Sequence, residues 1–310
     1  MTRRGLVLGC GGTVGSAWQV GALAAVQEHW GWDPRDAAVI VGTSGGASLA
    51  TMLGSGVGTE ELVAGQRGQE AARESVRRFF TEPPAALPAF PALGGSWSLV
   101  KAGRRDRAGL MTMTGLAPTG RTNPAFLDAL VDDLVKDDAW VRHPAVWVVA
   151  MDAKTGERTA FGSADAPRVA LRDAVRASWA VPGWYPPVRV DGRSYLDGGV
   201  ASTASADLLI GQNLDEVVVL APMATDDGSR VSGVGGLLEG LMRRPMSRGL
   251  AREVAALAAD GARVTVICPS TAELAAMGPN FMNPRRRLSG MRTALANVPQ
   301  RLGAPLGGTR

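Results

Sequence analysis

Ala38-Val39-Ile40-Val41-Gly42-Thr43-Ser44-Gly45-Gly46-Ala47 is the stretch that decides how this chain reads. Its apolar, β-branched start is a buried-type strand, and the small residues from about Ala47 onward start a helix. A strand that turns through Gly-x-Ser-x-Gly into a helix is the setting of a nucleophile elbow. Gly42 and Gly46 relieve crowding around a strained serine, and the helix N-terminus that follows favours negative charge on Ser44. The same residues also fit a glycine turn in which Ser44 merely caps the helix. With 40 glycines in the chain, Gly-x-Ser-x-Gly is a weak signal alone, so both readings stay open.

Upstream, Gly5-Leu6-Val7-Leu8 reads as a strand, Gly9-Cys10-Gly11-Gly12-Thr13-Val14-Gly15 as a loop, and Ser16 to about His29 as a helix. Backbone N–H groups at such a helix start bind phosphate or stabilise an oxyanion. A dinucleotide site fits poorly, because the spacing is Gly-x-Gly-x-x-x-Gly and the second strand ends in Gly42-Thr43-Ser44 rather than an acidic residue. Strands feeding glycine turns and then helices predict an α/β fold with a mainly parallel central sheet.

Downstream, prolines at 83, 84, 88 and 91 begin a Gly-, Pro- and Met-rich segment to about residue 122, read as a lid-like insertion. Trp97, Met111 and Met113 within it are ordinary packing or a pliable acyl-binding surface. A helix over 124–136, strands over 145–151 and 158–161 and a helix over 170–177 follow. Val188–Val190 and Ser194–Leu196 form a hairpin closed by Asp191-Gly192, and 216–220 and 263–268 are further buried-type strands. Residues 222–249 read as a second lid-like insert, in which Leu237, Leu238, Leu241 and Met242 followed by Arg243 and Arg244 fit a short interfacial helix, a lid or a plain surface helix equally. The whole of 1–310 reads as one domain carrying these two inserts.

The bulk properties narrow the function classes. The chain is 45% apolar and 20% charged with mean hydropathy near zero, which describes a globular protein rather than a disordered one. Its net charge of +4 is carried mostly by arginine; a solvated basic face and contact with anionic headgroups both fit. No basic patch interleaved with aromatics argues for nucleic acid. Cys10 and Cys268 are isolated and suggest no disulfide framework, and with only two histidines no metal site is expected. Without a secretory signal or spanning run, the expected location is the cytoplasm, with contact at the inner membrane surface.

Those two histidines, His29 and His143, pose the chemical question. Where Gly-x-Ser-x-Gly forms a nucleophile elbow, the triad order is serine, acid, histidine, and no histidine follows His143. Either Ser44 is not a nucleophile or a group other than histidine activates it, and a carboxylate in that role needs partial desolvation to be an effective base. Asp197 and Asp152 both stand at expected strand ends. Asp197, before Gly198-Gly199, also fits an Asx turn, so residue type leaves the two as rivals.

Taken in order, Leu8-Gly9-Cys10-Gly11-Gly12, Trp18-Gln19-Val20-Gly21-Ala22-Leu23, Gly42-Thr43-Ser44-Gly45-Gly46-Ala47, Ala177-Ser178-Trp179-Ala180-Val181-Pro182-Gly183 and Asp197-Gly198-Gly199 resemble the patatin-like phospholipase family, over roughly residues 5 to 220. The resemblance implies a three-layer α/β/α sandwich, a Ser44–Asp197 dyad and an oxyanion hole from the amides of Gly11, Gly12 and Thr13. It implies hydrolysis of lipid acyl esters with no cofactor. Acyl transfer to a hydroxyl or thiol, and a catalytically silent lipid-binding protein, are the alternatives. One departure stands out: Cys10 replaces a glycine of the family's first loop, and Thr13-Val14-Gly15 lacks the basic residue often found there.

Overall fold

The computed structural model describes residues 2–82, 120–135, 140–225 and 234–303. Residues 83–119 of the first expected insert, with Trp97, Met111 and Met113, and 226–233 of the second lie outside the described residues.

Five strands run parallel at the centre: β1 (Arg4–Leu8), β2 (Val39–Thr43), β3 (Val146–Asp152), and β7 (Glu216–Leu220) with β8 (Arg263–Ile267). Their continuous apolar runs suit strands covered on both faces. Three further strands, β4 (Arg158–Phe161), β5 (Val188–Val190) and β6 (Arg193–Asp197), make antiparallel pairs. The path through the sheet is β5-β6-β3-β2-β1-β7-β8, and β4 also pairs with β3.

Alternation of side chains divides the core into two layers. Leu6, Leu8, Ile40, Val148 and Phe161 pack on one face with α1 (Gly12–Trp30), α2 (Gly45–Gly54), α5 (Ala125–Leu134), α6 (Leu171–Ser178) and α9 (Arg287–Asn297). Alongside them lie α3 (Thr59–Arg67), α4 (Glu74–Thr81) and α8 (Thr271–Met277). Val7, Val41, Val149, Val217 and Val219 pack on the other with Leu250 and Leu257 of α7 (Val234–Ala259). The result is a mainly parallel sheet between helical layers, as expected.

Two boundaries differ from expectation. Helix α1 begins at Gly12 rather than Ser16, so part of the expected glycine loop is helical and Ser16 lies inside the helix, its Oγ donating to Gly12 O at 2.6 Å. Helix α7 runs to Ala259 with Pro245 inside it. Proline removes one backbone donor there, but Leu250, Val254 and Leu257 press the helix onto the sheet and keep it going.

The register along β3 positions the site. Val149 pairs with Thr43 of β2 on one edge and Ala160 of β4 on the other. One residue later, Ala150 pairs with Thr159 of β4 and Asp197 of β6. Strand β4 thus continues along one edge while β6 takes over from β2 on the other. Because β6 is antiparallel, the C-terminal ends of β2 and β6 meet head-on. Ser44 follows Thr43, so the sheet itself carries Ser44 and Asp197 to one point.

Candidate active site

Ser44 leaves β2 with φ 56° and ψ −122°, a left-handed conformation for a residue with a side chain. Such backbone strain costs about 1–3 kcal/mol and persists only where the surroundings enforce it. The glycines explain how it fits. A Cβ on Gly42 would lie 2.5 Å from Gly46 O and 2.7 Å from Ala47 Cα. One on Gly45 would strike Ser16 Oγ, and one on Gly46 would strike Leu8 O. Gly45 and Gly46 let α2 press against the end of β1 and the loop after it.

Ser178, in the last turn of α6, fastens the elbow. Its Oγ accepts from Ser44 N at 2.8 Å and donates to Val149 O at 2.6 Å. Two residues on, Ala180 O accepts from Asp197 N at 3.1 Å, while Trp179 Nε1 donates to Ser48 Oγ at 2.8 Å. One short segment therefore holds both chain ends of the site. Sequence reasoning gave Ser178 no role; its place in a recurring block was the available signal.

Asp197 is buried, and its carboxyl is pushed from 3.8 to about 7, chiefly by burial. Hydrogen bonds from the Ser44 side chain and from Gly199 N, the latter at 2.7 Å, offset part of that rise. Gly198 packs against Val149 O and Gly199 against Cys10 Sγ, where a Cβ would come within 2.7 and 2.8 Å. The rival carboxylate is differently engaged. Asp152 Oδ1 accepts from Lys154 N at 2.7 Å and Thr155 N at 3.1 Å, and Oδ2 lies 3.7 Å from Arg193 Nη1. It closes the turn into β4.

The glycine loop lies against the elbow through Gly12 O and Ser16. Its flanking amides are all engaged: Gly9 N by Leu220 O (2.9 Å), Cys10 N by Thr203 O (2.8 Å), Val14 N by Phe281 O (2.9 Å) and Gly15 N by Gly11 O (2.8 Å). Among the described residues, no acceptor takes the N–H of Gly11, Gly12 or Thr13. Gly12, at φ 56°, supplies the left-handed step that starts α1. Gln19 Nε2 anchors the loop from beneath by donating to Gly9 O at 3.0 Å and Leu220 O at 3.2 Å. Three unengaged amides at the positive end of a 19-residue helix form a cradle for an oxygen anion. Cys10 stands beside Gly199, its thiol pushed up by burial and then by the Asp197 charge, which makes it a packing residue rather than a nucleophile.

Neither histidine reaches this point. His143 is occupied by the backbone, with Nε2 2.7 Å from Ala37 O and Nδ1 accepting from Ala145 N at 3.1 Å. His29 is exposed in the last turn of α1. Among the described residues no cluster of His, Cys, Asp or Glu is arranged to hold a metal ion.

The model of the family described as patatin-like phospholipase matches residues 6–210. The chain belongs to that family. As a patatin-like phospholipase it falls among lipid acyl hydrolases. A crystal structure of VipD from Legionella pneumophila is also similar, at 12% identity and a TM-score of 0.41, covering 96% of this chain and 67% of that one. The matched segment of this patatin-like chain holds the glycine loop, the elbow, Ser178 and Asp197; β7, α7, β8 and the C-terminal helices lie beyond it.

Proposed function

We propose that the protein is a serine lipid acyl hydrolase of the phospholipase, lysophospholipase or esterase type, with Ser44 as nucleophile and Asp197 as its base. The observation that carries this reading is the end-on meeting of β2 and β6, which sets the Ser44 hydroxyl on the Asp197 carboxylate beside three unengaged amides. Ionised Asp197 accepts the proton of Ser44 Oγ as that oxygen bonds to the ester carbonyl carbon. The carbonyl electrons move to oxygen, and the resulting anion is held by the N–H groups of Gly11, Gly12 and Thr13. Collapse breaks the carbon–oxygen bond to the alcohol, which takes the proton from Asp197 and leaves an acyl-enzyme on Ser44. Water then repeats the sequence and releases the fatty acid.

The environment supports each role. A base working near neutral pH needs a pKa near it, and burial lifts Asp197 to about 7. An oxyanion donor contributes about 10²–10³ in rate, and Ser44 N, held by Ser178, is not one of the three. The Ser44 dihedrals aim the hydroxyl out of the strand in the manner of an elbow. We read 1–310 as one folding unit, because a single sheet takes strands from residues 4 to 267. No helix among the described residues is long and apolar enough to cross a membrane. In the proposed reading the protein meets its lipid at a membrane surface from the cytoplasmic side.

The test is hydrolysis of phospholipids, lysophospholipids and p-nitrophenyl esters by wild type and Ser44→Ala. Activity in the wild type that vanishes in the variant supports the reading. Lipid binding without hydrolysis in the wild type would replace it with a silent lipid-binding protein, and acyl esters of added alcohols among the products would make it a transferase.

A further inference from the structure

We infer that Phe281 and Trp184 form the wall along which the substrate's acyl chain lies, and that Phe281 sets the chain length the protein favours. This rests on the hydrolase reading above. It concerns a residue outside the matched segment 6–210.

Phe281 reaches the site through Gly12. A Cβ added to Gly12 would meet Met282 Sδ at 2.7 Å and Phe281 Cδ2 at 2.8 Å. The ring therefore stands directly against one of the three residues whose amides are unengaged. Its backbone is fixed: Phe281 O accepts from Val14 N at 2.9 Å, Met282 N donates to Asn280 Oδ1 at 3.0 Å, and Asn283 N donates to Asn280 O at 3.0 Å. Below the turn, α9 is seated on α1, with Gly21 admitting Met291 O where a side chain would collide.

Trp184 reaches the same place from the other side. It follows α6, whose Ser178 holds Ser44 N, and its own N–H donates to Val181 O at 3.0 Å while its carbonyl accepts from Thr122 N at 2.9 Å. The Trp184 and Phe281 rings lie with centroids 6.4 Å apart at 39°. Contacts thus run from Ser44 through Gly45 and Gly12 to Phe281, and from Ser44 to Ser178, from which the chain leads six residues on to Trp184. The burial pattern singles out these rings: Trp179 and Tyr185 beside them are fully buried, whereas Trp184 and Phe281 keep part of their surface open.

An ester whose carbonyl oxygen sits on the Gly11–Thr13 amides has its acyl carbon next to Gly12, so the first methylenes come against Phe281. Each methylene laid on apolar surface is worth roughly a fourfold gain in binding. The wall offers aromatic faces and no charge, which suits a saturated or unsaturated hydrocarbon chain rather than a headgroup.

The experiment compares the rate of Ser44 labelling by ethyl and dodecyl fluorophosphonates, read by intact mass, in the full chain. Wild type, Phe281→Ala, Phe281→Leu and Trp184→Ala are compared, with Ile210→Ala as a distant exposed control and melting curves on each. The dodecyl-to-ethyl rate ratio is expected to exceed one in wild type and in the control. It should fall roughly tenfold in Phe281→Ala, with a smaller fall in Trp184→Ala and partial recovery in Phe281→Leu. An unchanged ratio in folded Phe281→Ala and Phe281→Leu overturns the wall while leaving the hydrolase intact. Failure of wild type to label with either probe overturns the hydrolase reading itself, and the wall with it.

Discussion

Asp152 and Asp197 end two neighbouring strands, two rungs apart on the same ladder, since Ala150 pairs with Asp197 and Asp152 with Tyr195. Their surroundings are nonetheless opposite. Asp152 accepts two backbone N–H groups from its own turn and has Arg193 nearby. Asp197 accepts one from Gly199, faces Ser44, and is held near 7 by burial. An aspartate satisfied by its own turn stabilises a loop. One deprived of water and aimed at a hydroxyl becomes a base. Strand-end position is shared by both, so it decides nothing; what differs is which strand end each carboxylate faces.

Removing the two reacting groups should break the comparison most sharply. Ser44→Ala and Asp197→Asn are each expected to lower kcat by about 10³-fold or more, read with a p-nitrophenyl ester, while melting temperatures show both variants folded. Ser178→Ala comes next. It leaves Ser44 N–H and Val149 C=O without their shared partner, so kcat should fall roughly tenfold with KM little changed, and stability by about 1–3 kcal/mol by urea titration.

The pH dependence sharpens the contrast further. Since Asp197 acts ionised and its carboxyl is raised to about 7, kcat/KM should rise with pH through that region. An acid limb near 4 would assign the base to a solvated carboxylate. The same burial acts on stability with a definite sign. The folded protein holds the Asp197 proton more tightly than the unfolded chain, so this group's cost is absent below 3.8 and grows as pH rises to about 7. Asp197→Asn removes it, and the variant's melting temperature relative to wild type should be higher at pH 8 than at pH 4. The smallest effect belongs to the rival: Asp152→Asn should keep kcat within about threefold and lose about 1 kcal/mol from its turn.

Much of this site was legible because it is local. The parallel strands announced themselves as apolar runs, and the elbow as a strand, a glycine-flanked serine and small residues, all within Val39–Ala47. The choice between Asp152 and Asp197 was open on residue type because it depends on β6 replacing β2 along β3, which brings together the ends of two strands, at Thr43 and Asp197, more than a hundred positions apart in sequence. Ser178 was missed for the same reason, as its partners are Ser44 and Val149. The start of α1 was misplaced because the glycines of 9–15 read as loop, whereas Gly12 and Gly15 lie inside the first turns of the helix. Phe281 carried no signal at all, and only the packing of the C-terminal turn on Gly12 brings it forward.

The most direct test of Asp197 as the base for Ser44 is the rate of Ser44 labelling by a fluorophosphonate at pH 8 in Asp197→Asn and Asp152→Asn. The Asp197 variant should label at least about 10³-fold more slowly than wild type while the Asp152 variant keeps pace with it. Wild-type labelling in Asp197→Asn, or its loss in Asp152→Asn alone, would contradict it.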